Sequence, residues 1–331
     1  MQFLSDNAAA VHPKVWAALQ AADEADRPYD DDRLSRALDD AFGELFGREC
    51  AALWVASGTA SNCLALATMV EPHGGVVCHR EAHIETDECG APGFYLHGAK
   101  LLLGDGEGAK LTVAGIAAVL DGITRGIHQV PAQAISLTQA SEYGLVYRPD
   151  ELASIGTLAS DRDLGLHIDG ARFANAVAFL ECRPAEAAGP AAALSFGFIK
   201  NGGMSADAIV FFDPARAELA RWRRKRAGHL QSKGRFLAAQ ILALLDNGLW
   251  LENARAANAA AQAIAAGAGS RLVYPVEANE VFVRLTADER EVLRSQGFAF
   301  YDWDDTSARM VASWDTPVEQ GEALGKAIAS L

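Results

Sequence analysis

Seven short apolar runs, most of them separated by a helix-length segment, constrain this chain more than any other feature. They fall at 51–55, 75–78, 99–103, 134–138, 164–169, 194–198 and 208–212. Each is too short for a buried helix, and several end on a glycine or a charged residue, so they read as strands buried on both faces. Helical patterns fill the gaps, as at 149–161, where Arg148-Pro149-Asp150 gives a start signal. This alternation predicts an α/β fold with a mainly parallel sheet covered by helices on both faces. Beyond Asp213 the rhythm changes to successive helices at 214–228, 233–247 and 249–266. The alanine-rich stretch 256–266 is flanked by apolar and charged residues, and it reads as high helix propensity rather than low-complexity chain. A smaller unit follows, with strands at 280–285, 298–303 and 309–314 and helices at 287–296 and 317–331. The expected division is a large domain, 1–250, that includes the N-terminal segment, and a small C-terminal α/β domain, 251–331.

Ligands of parallel sheets bind beyond the carboxyl ends of the strands, and two such ends here carry reactive groups. The run ending His167-Ile168-Asp169-Gly170 delivers a carboxylate. Thirty-one residues after Asp169, the run Leu194-Ser195-Phe196-Gly197-Phe198-Ile199 delivers Lys200, followed by Asn201-Gly202-Gly203. A lysine to bind the cofactor covalently and an acid to keep its ring nitrogen protonated are what a pyridoxal 5′-phosphate enzyme needs. Asp169 alone could equally cap the next helix. A third strand end, Ser57-Gly58-Thr59-Ala60-Ser61-Asn62, runs into an apolar helical stretch. Ser-Gly-Thr alone reads as an ordinary N-cap, but with the other two sites it reads as a phosphate cradle of free N–H groups and hydroxyls.

The segments Ser5-Asp6-Asn7, Ser57-Gly58-Thr59, Glu81-Ala82-His83, Glu85-Thr86-Asp87-Glu88-Cys89-Gly90, Asp169-Gly170-Ala171-Arg172 and Lys200-Asn201-Gly202 occur in this order. Together they resemble the low-specificity L-threonine aldolases and the related phenylserine aldolases, fold type I pyridoxal phosphate enzymes akin to the β-eliminating lyases. The resemblance spans residues 3–314. It implies cleavage of L-β-hydroxy-α-amino acids (L-threonine, L-allo-threonine, L-phenylserine) to glycine and an aldehyde. It further implies that Lys200 holds the cofactor and that Asp169 pairs with the ring nitrogen. His83 would lie against the ring, where an aromatic face shields it from water. His128 would act near the substrate hydroxyl, a task suited to a group titrating near neutrality. Arg172 and Arg309 match positions for the substrate carboxylate, with Ser5 as a hydroxyl contact, and Arg172 also falls within the cofactor motif. Arg235 matches a phosphate contact donated by a neighbouring subunit, and Tyr29 a segment that reaches a neighbour's site. The implied assembly is a homotetramer built from dimers with shared sites.

Three departures stand out. Ile199 replaces a hydroxyl residue common before the lysine, which shifts the phosphate onto Ser57, Gly58, Thr59 and Arg235. Asp30 stands where glycine is usual, and Thr138-Gln139-Ala140-Ser141-Glu142-Tyr143-Gly144 replaces a widespread Glu-Asn-Thr pattern.

Composition excludes several other classes. A net charge of −14 argues against nucleic acid or an anionic membrane as partner, despite the basic run 221–226. No apolar stretch is long enough to span a bilayer, and residues 1–6 lack the pattern of a signal peptide. Five widely spaced cysteines without a C-x-x-C pair fit a reduced, cytoplasmic protein. The remaining alternatives are another fold type I activity (β-elimination, racemisation or transamination), a cofactor-binding protein without turnover, and a metal hydrolase built on His79 and His83. His79-Arg80-Glu81-Ala82-His83 lacks the zincin spacing, so no metal is expected.

Overall fold

The computed structural model describes all residues, 1–331. Its large sheet has seven strands: β1 (Ala51–Val55), β2 (Gly75–His79), β3 (Lys100–Gly104), β4 (Ala132–Thr138), β5 (Gly165–Gly170), β6 (Ala193–Phe196) and β7 (Asp207–Phe211). Their order across the sheet is β1-β7-β6-β5-β4-β2-β3, and only β7 runs antiparallel to its neighbours. Every residue of β1, β2, β6 and β7 is buried, in keeping with helices on both faces. All seven sequence-predicted strands are present, shifted at their ends by at most two residues.

The direction of β7 matters for the site. Because it is reversed, its first residue, Asp207, lies at the same sheet edge as the last residues of β1, β2, β4, β5 and β6. That edge therefore collects side chains from six strands.

The small sheet is antiparallel, β8 (Glu280–Arg284), β10 (Ser307–Val311) and β9 (Tyr301–Asp302), in the order β8-β10-β9. The strand expected at 298–303 is only two residues long, because Phe298 and Phe300 turn into the core instead of pairing. Phe3 is fully buried in this C-terminal core, and its carbonyl accepts from the Val311 N–H at 2.9 Å. The N-terminal segment, grouped with the large domain on sequence grounds, thus packs with the small one.

The 20-residue helix Leu249–Ala268 belongs to both units. Leu249, Trp250 and Ala254 sit in the core of the large sheet; Ala260, Ala261, Ile264 and Ala268 sit in the small one. The boundary drawn at 250 falls inside this single helix. Its alanines find their reason here. A methyl group on Gly267 would lie 2.1 Å from the Gly325 carbonyl oxygen, so this helix and the C-terminal helix Val318–Ala329 meet backbone to backbone. Small side chains allow that approach.

Below Asp169 in β5, His167 is wholly buried between two hydroxyls, Nδ1 2.9 Å from Ser136 Oγ and Nε2 3.0 Å from Ser195 Oγ. Burial pulls its pKa down to about 4, so it is a neutral hydrogen-bonded part of the sheet and takes no part in the cavity above.

Candidate active site

Lys200 sits in a single 3-10 turn, Ile199–Asn201, immediately after β6. The turn is held from two sides. Asp207 Oδ1 accepts the N–H groups of Phe198 (2.7 Å) and Ile199 (3.1 Å). Asn201 donates to the Trp250 carbonyl at 2.7 Å, and Asn253 donates back to the Asn201 carbonyl at 2.9 Å. Gly202 closes the turn at φ 99°, a conformation that glycine adopts without strain. Burial raises the pKa of Asp207 to about 6, although the two N–H groups and the nearby Lys200 act to lower it.

The lysine projects into a cavity of about 350 Å³ lined by Ser57, Gly58, Thr59, Asn62, His83, Glu142, Asp169, Arg172 and Asp207 among others. Of the residues singled out in the sequence, Lys200, Asp169, His83, Arg172, Ser57, Gly58 and Thr59 meet here. Asp169 is 4% exposed and doubly bonded: Oδ2 accepts from Asn62 Nδ2 at 2.8 Å, and Oδ1 accepts from the Ala171 N–H at 3.1 Å. Asn62 also donates to Glu88 Oε1 (2.9 Å), which lies 2.9 Å from His83 Nδ1. Burial works to lower the pKa of His83, but the bond to Glu88 and the Asp169 and Glu142 carboxylates outweigh it and raise it. Asn62 and Glu88 were not singled out in the sequence. Asn62 lies within the quoted Ser57–Asn62 turn, one helical turn past Gly58, and that spacing was the available signal.

Ser57 caps the helix Gly58–Leu66 by accepting from the Ala60 N–H at 3.3 Å. The first N–H groups of any helix lack an intrahelical acceptor, and a methyl group on Gly58 would meet nothing closer than Asp207 Oδ2 at 3.7 Å. An anion therefore has both donors and room at this end of the cavity. With a lysine in the middle and a fixed carboxylate beyond it, the donor set fits pyridoxal 5′-phosphate.

The arginines are arranged differently from the sequence expectation. Arg172 is buried, and its Nε and Nη2 are both spent on Asp6, at 2.8 and 2.9 Å, with Nη1 3.4 Å from Glu280 Oε2. Arg309 donates to Glu280 Oε1 at 2.8 and 3.1 Å and does not line the cavity. Glu280 thus bridges the two guanidinium groups, and Asn279 ties Asp6 into the same cluster at 2.9 Å. Burial opposes ionisation of Asp6, yet Arg172 and Lys200 hold its pKa below the usual carboxylate range. On sequence grounds Asp6 entered only within a motif and Glu280 only as a strand end, and no task was assigned to either of them or to Asn279.

Four other expected residues lie away from the cavity of their own chain. Ser5 caps the turn Asp6–Ala8 by accepting from the Asn7 N–H, and it is Asn7 that reaches the cavity. His128 lies in the exposed turn Gly126–His128, just before β4 and so at the opposite end of the sheet; its neighbour Ile127 is 98% exposed. Arg235 donates to the Ala22 carbonyl at 3.0 Å, and Tyr29 is an exposed residue at φ 60° with Lys225 over its ring. The Tyr29 N–H donates to the Ser232 carbonyl, which places Tyr29 and the start of the Arg235 helix side by side. Asp30, in the unusual position, pairs with buried Arg224.

His79 cannot join a metal site with His83. Its Nε2 bonds the Gly106 carbonyl and its Nδ1 accepts from the Glu81 N–H, both at 3.0 Å. His83, Glu88 and Asp169 do bring ligand atoms within 4.8 Å of one another, but Asn62 and the His83–Glu88 bond already satisfy that trio.

The family model described as beta-eliminating lyase matches residues 2–288. The chain belongs to that family. It is 43% identical to a low specificity L-threonine aldolase of Pseudomonas sp. (strain NCIMB 10558), across 95% of this chain and 93% of that protein. It is also 43% identical to the low specificity L-threonine aldolase of Pseudomonas aeruginosa, across 99% and 96%. Among solved structures, the threonine aldolase of Leishmania major superposes with a TM-score of 0.93 at 26% identity, covering 99% of this chain and 98% of that one.

Proposed function

We propose that this chain is a pyridoxal 5′-phosphate-dependent aldolase that cleaves L-β-hydroxy-α-amino acids, L-threonine, L-allo-threonine and L-phenylserine among them, to glycine and an aldehyde. The meeting of Lys200, the doubly bonded Asp169 and the Ser57–Thr59 helix end in one cavity carries the reading. When bound, the cofactor supplies a ring that accepts the electron pair left at Cα. Lys200 would bind it covalently, and Asp169, oriented by Asn62 and Ala171, would keep its ring nitrogen protonated. His83, braced by Glu88, would shield the ring from water, and Ser57, Gly58 and Thr59 would hold the phosphate.

On the substrate side, Arg172 is the guanidinium that lines the cavity and is assigned to the carboxylate; Arg309 joins it only through Glu280, and Ser5 stays outside the cavity. Asp6 and Glu280 fix both guanidinium groups in place before substrate arrives, so little ordering entropy is lost when the carboxylate binds. L-threonine, L-allo-threonine and L-phenylserine supplied to the purified holoenzyme should each release glycine and the matching aldehyde. Protein that binds cofactor yet yields only ammonia and a keto acid would replace this reading with β-elimination.

The active unit is an oligomer with shared sites, a dimer or a tetramer built from two dimers. Tyr29 and Arg235 lie together on the surface, outside their own cavity, and a role in catalysis for either requires a second copy. The same holds for His128. Closed symmetry is the usual solution for such sharing. The chain has no helix long and apolar enough to cross a membrane, and five free cysteines favour the cytoplasm. Dissociating and remixing two inactive variants, Lys200→Ala and Arg235→Ala, should restore activity, because a hybrid dimer holds one intact site. Confirmed subunit exchange with no recovered activity would exclude a shared Arg235.

A further inference from the structure

Glu142 is an acid to which the resemblance assigns no task. It stands in the loop after β4 where this chain departs from the Glu-Asn-Thr pattern, and it lines the cavity with Lys200, His83, Asp169 and Arg172. Of the other acids around the cavity, Asp87 is exposed at the rim and the rest are held by the protein. Asp169 is bonded by Asn62 and Ala171, Asp207 by two backbone N–H groups, Asp6 by Arg172 and Asn279, and Glu280 by Arg309. The Glu142 carboxylate carries no hydrogen bond or ion pair from the protein. A half-buried carboxyl group that lines a polar cavity and has no protein partner is free to bond a ligand there.

Its loop is stiff on both sides. Ser141 donates from Oγ to the Gly108 carbonyl at 2.7 Å and from its N–H to the Leu145 carbonyl at 2.8 Å. Tyr143 donates to Glu81 at 3.2 Å, and its ring packs against Tyr274, Phe282 and Trp303. The carboxylate is therefore aimed by its neighbours, whereas His128, the expected group, is at the other end of the sheet.

We propose that Glu142 is the proton-transfer residue for the substrate's β-hydroxyl, taking that proton as the Cα–Cβ bond breaks. The proposal rests on the aldolase reading. The O–H bonding pair becomes the second C–O bond of the aldehyde, and the Cα–Cβ pair stays with Cα, which takes up one proton to give glycine. Glu142 then returns its proton to water. One proton leaves the oxygen and one reaches carbon, so the step balances with no oxidant or co-reactant.

The charges facing Glu142 suit it to this work. Burial first, then the Asp169 carboxylate from β5 and the Glu280 carboxylate from β8, push its pKa up to about 7 against the pull of His83 and Lys200. Arg172 faces it across the same cavity. A base is most effective when its pKa lies near the working pH. Because the ionised form is the active one, cleavage should rise with pH through about 7.

Two reactions of one holoenzyme separate this role from a structural one. Cleavage needs the β-hydroxyl; exchange of the glycine α-hydrogen in D₂O, followed by NMR, does not. In Glu142→Gln the kcat for cleavage should fall by roughly 10²–10⁴-fold, while glycine exchange stays within about threefold of the parent. The acid limb of the cleavage profile should vanish, the absorbance of the lysine-bound cofactor should persist, and Glu142→Asp should recover part of the rate. Cleavage and exchange falling together would overturn the proposal in favour of a packing or cofactor-positioning role, and unchanged cleavage would overturn it in favour of another base. A parent enzyme that exchanges glycine but cleaves no β-hydroxy amino acid would sink the aldolase reading, and this proposal with it.

Discussion

Replacing Lys200 by alanine should remove the absorbance of the lysine-bound cofactor and reduce cleavage by roughly 10⁴-fold or more, the scale on which enzymes lose activity when a covalent nucleophile is deleted. The fold should survive, because the turn is pinned through its backbone by Asp207 and through Asn201, not through the lysine side chain. Its electrostatic surroundings would change more. Asp6, Asp207 and Glu142 all lose a cation that lowers their pKa values, so each should bind protons more readily in the variant. Borohydride reduction of the parent followed by peptide mapping gives the direct check. The reduced cofactor should be found on Lys200; recovery on Lys225 or Lys233 would show that the lysine has been misassigned.

Asp169→Asn should cost roughly 3–4 kcal/mol of transition-state stabilisation, about two to three orders of magnitude in kcat, the range seen when one preorganised electrostatic partner is lost. The substitution keeps the shape and removes the charge that the proposed function assigns to the ring nitrogen. It also disturbs the hydrogen bonding. Asp169 accepts two bonds, from Asn62 and from Ala171, and an amide offers an oxygen to only one of them. Cofactor should still bind in full stoichiometry, since Lys200 and the Ser57–Thr59 end are untouched. Turnover close to that of the parent at full occupancy would remove Asp169 from the role of electron-sink partner.

What the sequence made legible was local. The strands show themselves because both faces of β1, β2, β6 and β7 are buried, which leaves continuous apolar runs. Asp169, Lys200 and Ser57 stand out because each follows such a run and precedes a turn. Strand direction left no such trace: an apolar run reads the same both ways, and the reversal of β7 that brings Asp207 to the site could not be read from it. The cluster of Asp6, Arg172, Asn279 and Glu280 was hidden for another reason. Its members are 166 and 273 residues apart along the chain, and only the closed fold makes them neighbours. Arg172 and Arg309 were found as cations, while the acids that hold them were not. Likewise, the turn holding His128 could be recognised as a motif, but the end of the sheet it occupies could not.

The helix Leu249–Ala268 carries a mechanical implication. About 30 Å long at 1.5 Å per residue, it is anchored at its start under the lysine turn, through Trp250 and Asn253, and its far half is welded to the C-terminal helix. It joins the C-terminal unit directly to the turn that carries Lys200, so a tilt of that unit would be delivered to the turn through a rod that does not bend easily. Neither half of the chain can then be relaxed, truncated or exchanged for a homologous piece without retuning the other, so the two units should respond to selection as one.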